Sequence, residues 1–282
     1  MTYGPQLPHE AENFRDVSNR LGPSFQRLDR SIALGIDLIG RAGTALATPW
    51  RPRLTGAVVL GLYAKSIKTA RAVRLAASAG LLEDGLVLCR TLLETHVAIS
   101  YLVQRKGKRR AQEFVASQIA KIAKVADEWE KTPGLKLQGR RLKKAAQETL
   151  ARDFTHIRPD RLKELRKGYA GMSIEAVFKL VGMNKDYQVV YRDLSSYPHA
   201  QDLQGHLDLT AAPGVGLLFG RVDAPDVRKV LDTARRILIS TMYRVAQALD
   251  LGHLAEIHRL AVSPEDNLHE LLTSWERRVR HA

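Results

Sequence analysis

Residues 187–199, YQVVYRDLSSYPH, bring Tyr187, Tyr191, Arg192, Asp193, Ser195, Ser196 and His199 within thirteen positions. If a helix runs as far as Ser196, the four-residue spacing of Tyr187, Tyr191 and Ser195 puts them on one face, with Arg192 and Ser196 beside them and His199 about one turn further on. A histidine exchanges a proton near neutral pH, and an arginine stabilises negative charge gathering on phosphate oxygens. Arg192 and His199 therefore suit proton transfer beside a phosphate. In such a scheme His199 acts as general base or acid, Arg192 steadies the pentavalent phosphate, and Tyr191 or Ser195 orients them.

A second polar group lies in CRTLLETH, where Arg90 and Glu94 stand one helical turn apart, close enough to pair, and His96 follows. That pair is either part of a reactive cleft or a structural ion pair inside a helical bundle. Two imidazoles and two carboxylates, His199, Asp202, His206 and Asp208, also fall within ten residues and offer ligands to a divalent ion. Their spacing matches no established ligand motif, and residues just after a proline also build turns, so no metal is assigned. His253, Glu256 and His258 have the wrong spacing for two imidazoles one turn apart. Gly214-Val215-Gly216 lacks the rest of a nucleotide-binding loop, and Cys89 falls on an apolar helix face, where packing is its expected role. No cofactor is expected.

The formal charge is +14, and residues 104–170 hold 19 Lys or Arg against 8 Asp or Glu, a net of +11. The clusters are Arg105, Lys106, Lys108, Arg109 and Arg110, then Arg140, Arg141, Lys143 and Lys144, then Arg161, Lys163, Arg166 and Lys167. Such a stripe neutralises phosphates and gives salt-dependent attraction to RNA or another polyanion; the plainer reading is a solvated helix face.

Apolar residues recur at helical spacing over about 11–21, 24–46, 54–79 and 83–104, with Gly22-Pro23, Pro49, Pro52 and Gly80 between them. Gly80 allows a tight connection between the third and fourth helices. Further helices are expected at 109–131, 135–153, a short one between Pro159 and Gly168, another capped by Ser173 and running through 181, then 185–196, 226–251 and 264–277. Residues 201–221 lose this spacing and suit a loop or a short hairpin around Pro213-Gly214. The expected fold is all-α: a single bundle-like domain over 1–282, irregular near 200–222, with the basic helices of 104–170 on one side. The lone Cys89, the absence of a signal-peptide profile at the N-terminus, and the lack of about 20 consecutive apolar residues favour a reducing cytoplasm and no membrane partner.

Arg192-Asp193 followed by five residues and then His199 resembles the Arg, polar residue, four-to-six spacer, His pattern of the HEPN superfamily of helical ribonucleases and nucleic-acid-binding domains. Arg90 to His96 fits the same spacing. The resemblance implies an Arg and a His facing a shared cleft, often between two subunits and hence in a homodimer, and RNA cleavage through attack by its own 2′-hydroxyl. A role in phage defence or as a growth-arresting toxin is implied by the same analogy. A second resemblance covers about 58–208. The Arg90-Thr-Leu-Leu-Glu94 helix, the stretch from Ala98 to Tyr101-Leu102, a long polar helix ending near Trp129, and the segment from Tyr187 to His199 are together similar to an uncharacterised bacterial all-helical family of unknown function. Its members pair an Arg-x-x-x-Glu helix with a later Tyr, Ser and His segment. This implies that Arg90, Glu94, Tyr191, Ser195 and His199 meet in one cleft, and it supplies no reaction.

Overall fold

Helices form where apolar residues recur every three to four positions, and glycines and prolines mark some of their ends, as Gly80 does after the helix ending at Ser78 and Pro159 at the start of the helix ending at Leu165. The computed structural model describes residues 15, 17, 19–46, 53–104, 107–167, 171–196, 207–208, 216–217 and 224–261. In chain order the helices are α1 (Gly22–Leu46), α2 (Arg53–Ser78), α3 (Leu82–Val103), α4 (Gly107–Lys131), α5 (Lys136–Asp153), α6 (Pro159–Leu165), α7 (Ile174–Leu180) and α8 (Asn184–Asp186). A π-helical stretch, Tyr187–Tyr191, leads into α9 (Arg192–Ser196); α10 (Ala224–Leu249) and α11 (Leu254–Ala261) follow. Two two-residue strands, β1 (Leu207–Asp208) and β2 (Gly216–Leu217), pair antiparallel within the segment expected to depart from helix. The fold is all-α. The helix expected at 264–277 lies outside the described residues, and the one at 11–21 lies largely outside them.

The sequence reading takes the chain as one domain; its contacts gather into two compact units. The first is drawn from Met1–Ala47, Leu60–Ile99 and Lys185–Ala282, the second from Thr48–Val59 and Ser100–Asn184.

In the first unit α10 is buried on almost every side, with Val227, Leu231, Leu238, Ile239, Met242 and Val245 inaccessible to solvent. A helix this apolar around its circumference belongs in a core. Tyr63 of α2 donates to the Gly35 carbonyl of α1 at 3.0 Å, and the Cys89 thiol of α3 donates to the Val230 carbonyl of α10 at 3.6 Å. Burial pushes the Cys89 thiol up to about 12, so it stays protonated and packs as a small hydrophobe. Gly80 takes φ +72° and ends α2 in a Schellman turn: Leu81 N–H donates to the Ala76 carbonyl and Gly80 N–H to the Ala77 carbonyl. By length and composition α3 is apolar enough to cross a membrane, but 67% of its apolar window is buried inside the protein, as in a core helix.

In the second unit α4 and α5 form a helical hairpin. Gly139 lets them approach: a β-carbon there would lie 2.5 Å from the Glu130 nitrogen and 2.9 Å from the Ala126 oxygen. Ala116 of α4 packs with Phe154, Ile157 and Leu165 to hold α6 against it. Ser173 caps α7 by accepting from the Ala176 N–H at 3.2 Å, as its place in the sequence leads one to expect.

Candidate functional site

Arg90 and Glu94 share one face of α3 because they lie one helical turn apart, and the Arg90 Nε donates to Glu94 Oε1 at 3.1 Å. Tyr191, 101 residues beyond Arg90 in the chain, joins them: Arg90 Nη2 donates to the phenol oxygen at 3.1 Å, and the phenol donates to Glu94 Oε1 at 2.9 Å. The guanidinium carbon also stands 5.2 Å from the Tyr191 ring centroid, and the far side of the arrangement is extended by Tyr187, stacked on Tyr191 at 5.3 Å between centroids. The Arg90 and Glu94 side chains keep 28% and 38% of their surface accessible, while Tyr191 is buried. Arg90 Nη1 and Glu94 Oε2 make no hydrogen bond among the described residues. Burial, reinforced by the Glu94 carboxylate, raises the Tyr191 phenol above its ordinary value despite the opposing effect of Arg90, so at neutral pH it remains a donor. Burial opposes the charge on Arg90, but Tyr191 and Glu94 outweigh it and the guanidinium is held above its usual value.

The Arg192 N–H bonds back five residues to the Tyr187 carbonyl, which widens the turn into a π-helix, a form that recurs at functional sites. Tyr191 turns inward, whereas Arg192 is exposed and donates to Gln188 Oε1 at 3.2 Å. Asp193 accepts from Lys229 at 3.4 Å. Ser195 commits its hydroxyl to the Tyr191 carbonyl at 2.5 Å. The five-residue group implied by the family resemblance is therefore represented by Arg90, Glu94 and Tyr191 in mutual contact, with Ser195 bonded to the tyrosine backbone; His199 lies outside the described residues. Asp202 and His206 do too, and among the described residues no group of three or more His, Cys, Asp or Glu is placed to hold a metal.

His96 is sealed in the core. Thr241 uses its hydroxyl proton on the Ile237 carbonyl at 2.7 Å, so the 3.0 Å contact with His96 Nδ1 requires the ring N–H to donate. Burial, with Arg244 adding to it, pushes this imidazole down to about 3 and keeps it neutral. Arg90 and His96 thus do not form the exposed reactive pair that their spacing permits.

The sequence pattern of DUF5677, a family of unknown function, matches residues 56–212, more than half of the chain. The chain belongs to this family. The match contains Arg90, Glu94, Tyr191, Arg192, Ser195 and His199, and agrees closely with the span expected from the resemblance. No curated protein and no solved structure shows significant similarity to this DUF5677 member.

The basic residues of the DUF5677 chain divide into engaged and open groups. Arg110 donates to the Tyr101 carbonyl and to Gln104 Oε1, both at 2.8 Å, with its guanidinium 4.5 Å over the Tyr101 ring. Arg140 pairs with Glu130, Lys143 with Asp127 and Glu130, and Lys144 with Glu148. Lys108 and Arg141 are exposed and make no ion pair among the described residues, and Arg105 and Lys106 lie outside them. Glu113 was not singled out by sequence reasoning. It is a nearly buried carboxylate that receives Arg109 at 3.1 Å and Arg161 at 3.0 Å, tying α6 to α4. The signal was present in Arg109-x-x-x-Glu113, which repeats the spacing of Arg90-x-x-x-Glu94. Burial alone would raise the Glu113 carboxyl, but the two guanidinium groups prevail and hold it below the usual carboxylate range.

Proposed function

We propose that this DUF5677 protein binds RNA and cleaves it without a metal, as a HEPN-like endoribonuclease. The observation that supports the reading is the meeting of Arg90, Glu94 and Tyr191 in one solvent-reachable cluster, immediately before the segment that carries Arg192 and His199. In the reaction His199 withdraws the proton of a ribose 2′-hydroxyl, O2′ attacks the adjacent phosphorus, and the bond from phosphorus to O5′ breaks as that oxygen takes a proton from water, the protonated His199 giving its own back to solvent. The products are a 2′,3′-cyclic phosphate and a 5′-hydroxyl. Arg192 stabilises the extra charge on the phosphate, while Arg90, Glu94 and Tyr191 position the segment. The basic residues of α4 and α5 add long-range, salt-dependent attraction for the backbone. The test is His199→Ala: it abolishes cleavage of a labelled RNA and preserves salt-sensitive binding, whereas cleavage at the wild-type rate removes the assignment.

A second reading is a non-catalytic nucleic-acid-binding or scaffold module. Its support is the closure of the cluster on itself, with the Arg90 charge matched by Glu94 and the Tyr191 phenol shared between them. It predicts that Glu94→Ala lowers the melting temperature by a few degrees and leaves RNA binding unaltered, with no cleavage by the wild type.

A further inference from the structure

A hollow of about 500 Å³ opens in the first unit beside the N-terminal half of α10. Two rows of side chains spaced four residues apart face it: Arg228, Asp232 and Arg236 in one, Pro225 and Lys229 in the other, with Leu21 contributing to the wall. Three cations and one carboxylate therefore line a concavity along the N-terminal half of α10, with Lys229 also paired to Asp193. Arg228 is exposed and makes no ion pair among the described residues. Lys229 reaches Asp193, so the hollow adjoins the helix that follows the π-turn. Its volume lies in the range of roughly 300–1,000 Å³ typical of small-molecule sites.

We propose that this hollow binds a nucleoside phosphate. The phosphate sits between Arg228, Arg236 and Lys229, since guanidinium groups pair with phosphate oxygens in a planar, two-point geometry. Leu21 and Pro225 supply an apolar wall for the base or sugar, and Asp232 an acceptor for a ribose hydroxyl. The same chemistry is offered by a free mononucleotide and by the 5′-phosphorylated end of an RNA. The inference goes beyond the cleavage reading, because binding of a mononucleotide requires no reaction.

The experiment is calorimetric titration of the full-length protein with AMP and with adenosine. AMP binds, and adenosine binds at least about tenfold more weakly because it lacks the charge that the guanidiniums recognise. Arg228→Glu combined with Arg236→Glu weakens AMP binding at least about tenfold at an unchanged melting temperature. Should that variant fail to fold, Arg228→Gln with Arg236→Gln supplies the same comparison. AMP binding no tighter than adenosine, or equal AMP binding by the folded variant, overturns the proposal. Competition then separates the sources: displacement of AMP by a 5′-phosphorylated oligoribonucleotide but not by its 5′-hydroxyl counterpart identifies the RNA end, and failure of both to displace it identifies the free nucleotide. The titration is read without any cleavage assay, so its failure is distinct from failure of the ribonuclease reading.

Discussion

Replacing Tyr191 by Phe removes one oxygen atom and retains the ring that stacks on Tyr187 and lies under the Arg90 guanidinium. Two hydrogen bonds are lost, one from Arg90 at 3.1 Å and one to Glu94 at 2.9 Å, and both have a charged partner. Hydrogen bonds to charged groups contribute about 1.5–3 kcal/mol each when buried. Here the charged side chains are 28% and 38% exposed, and water replaces part of what is lost. The two bonds together are accordingly worth about 1–2 kcal/mol, between the buried and surface cases. For a chain of this size that lowers the melting temperature by about 2–6 °C. Circular dichroism melts of wild type, Tyr191→Phe, Glu94→Gln and the double variant give the coupling energy directly, expected at about 0.5–1.5 kcal/mol. A Tyr191→Phe melt indistinguishable from wild type, or a coupling of zero, would refute the claim that the phenol bridges Arg90 and Glu94.

Three further outcomes follow from the packing. Gly139→Ala destabilises the second unit by about 1–3 kcal/mol in urea unfolding, since the new β-carbon meets helix backbone that cannot swing away; unchanged stability would contradict the close contact of α4 and α5. His96 gives an imidazole NMR signal that does not titrate between about pH 5 and 8, because its value is pushed down to about 3; a titration near the ordinary value of about 6.5 would place it in solvent. Glu113 has a depressed value in the folded state, so its contribution is present above the unfolded value of about 4.3 and is lost as pH falls through the lower folded value. Glu113→Gln should therefore be less stable than wild type at pH 7, with the difference shrinking in acid; parallel stability curves down to pH 3 would argue against the Arg109 and Arg161 contacts.

Most helices were legible because their ends carry their own chemistry, as Gly80 does in ending α2 and Ser173 in capping α7. The winding of residues 187–191 was not. Tyr-x-x-x-Tyr reads alike in an α- and a π-helix, so its spacing does not announce the widened turn that carries Tyr191. His96 was equally opaque, since its environment is set by Thr241 in a helix 145 residues away. The excess of cations over 104–170 could be counted from the sequence, but which of them are engaged depends on partners such as Glu113 and Glu130 that only packing brings into range. By contrast, the convergence of Arg90, Glu94 and Tyr191 was implied by the family resemblance and is present in the fold.

The ribonuclease reading is tested most directly by the chemistry of the RNA ends. Purified wild-type protein incubated with RNA in the presence of a chelator should leave 2′,3′-cyclic phosphate and 5′-hydroxyl termini, and the His199→Ala protein should leave the RNA intact. Products with 5′-phosphate ends, cleavage that stops when divalent ions are removed, or no cleavage at all by the wild type would contradict it.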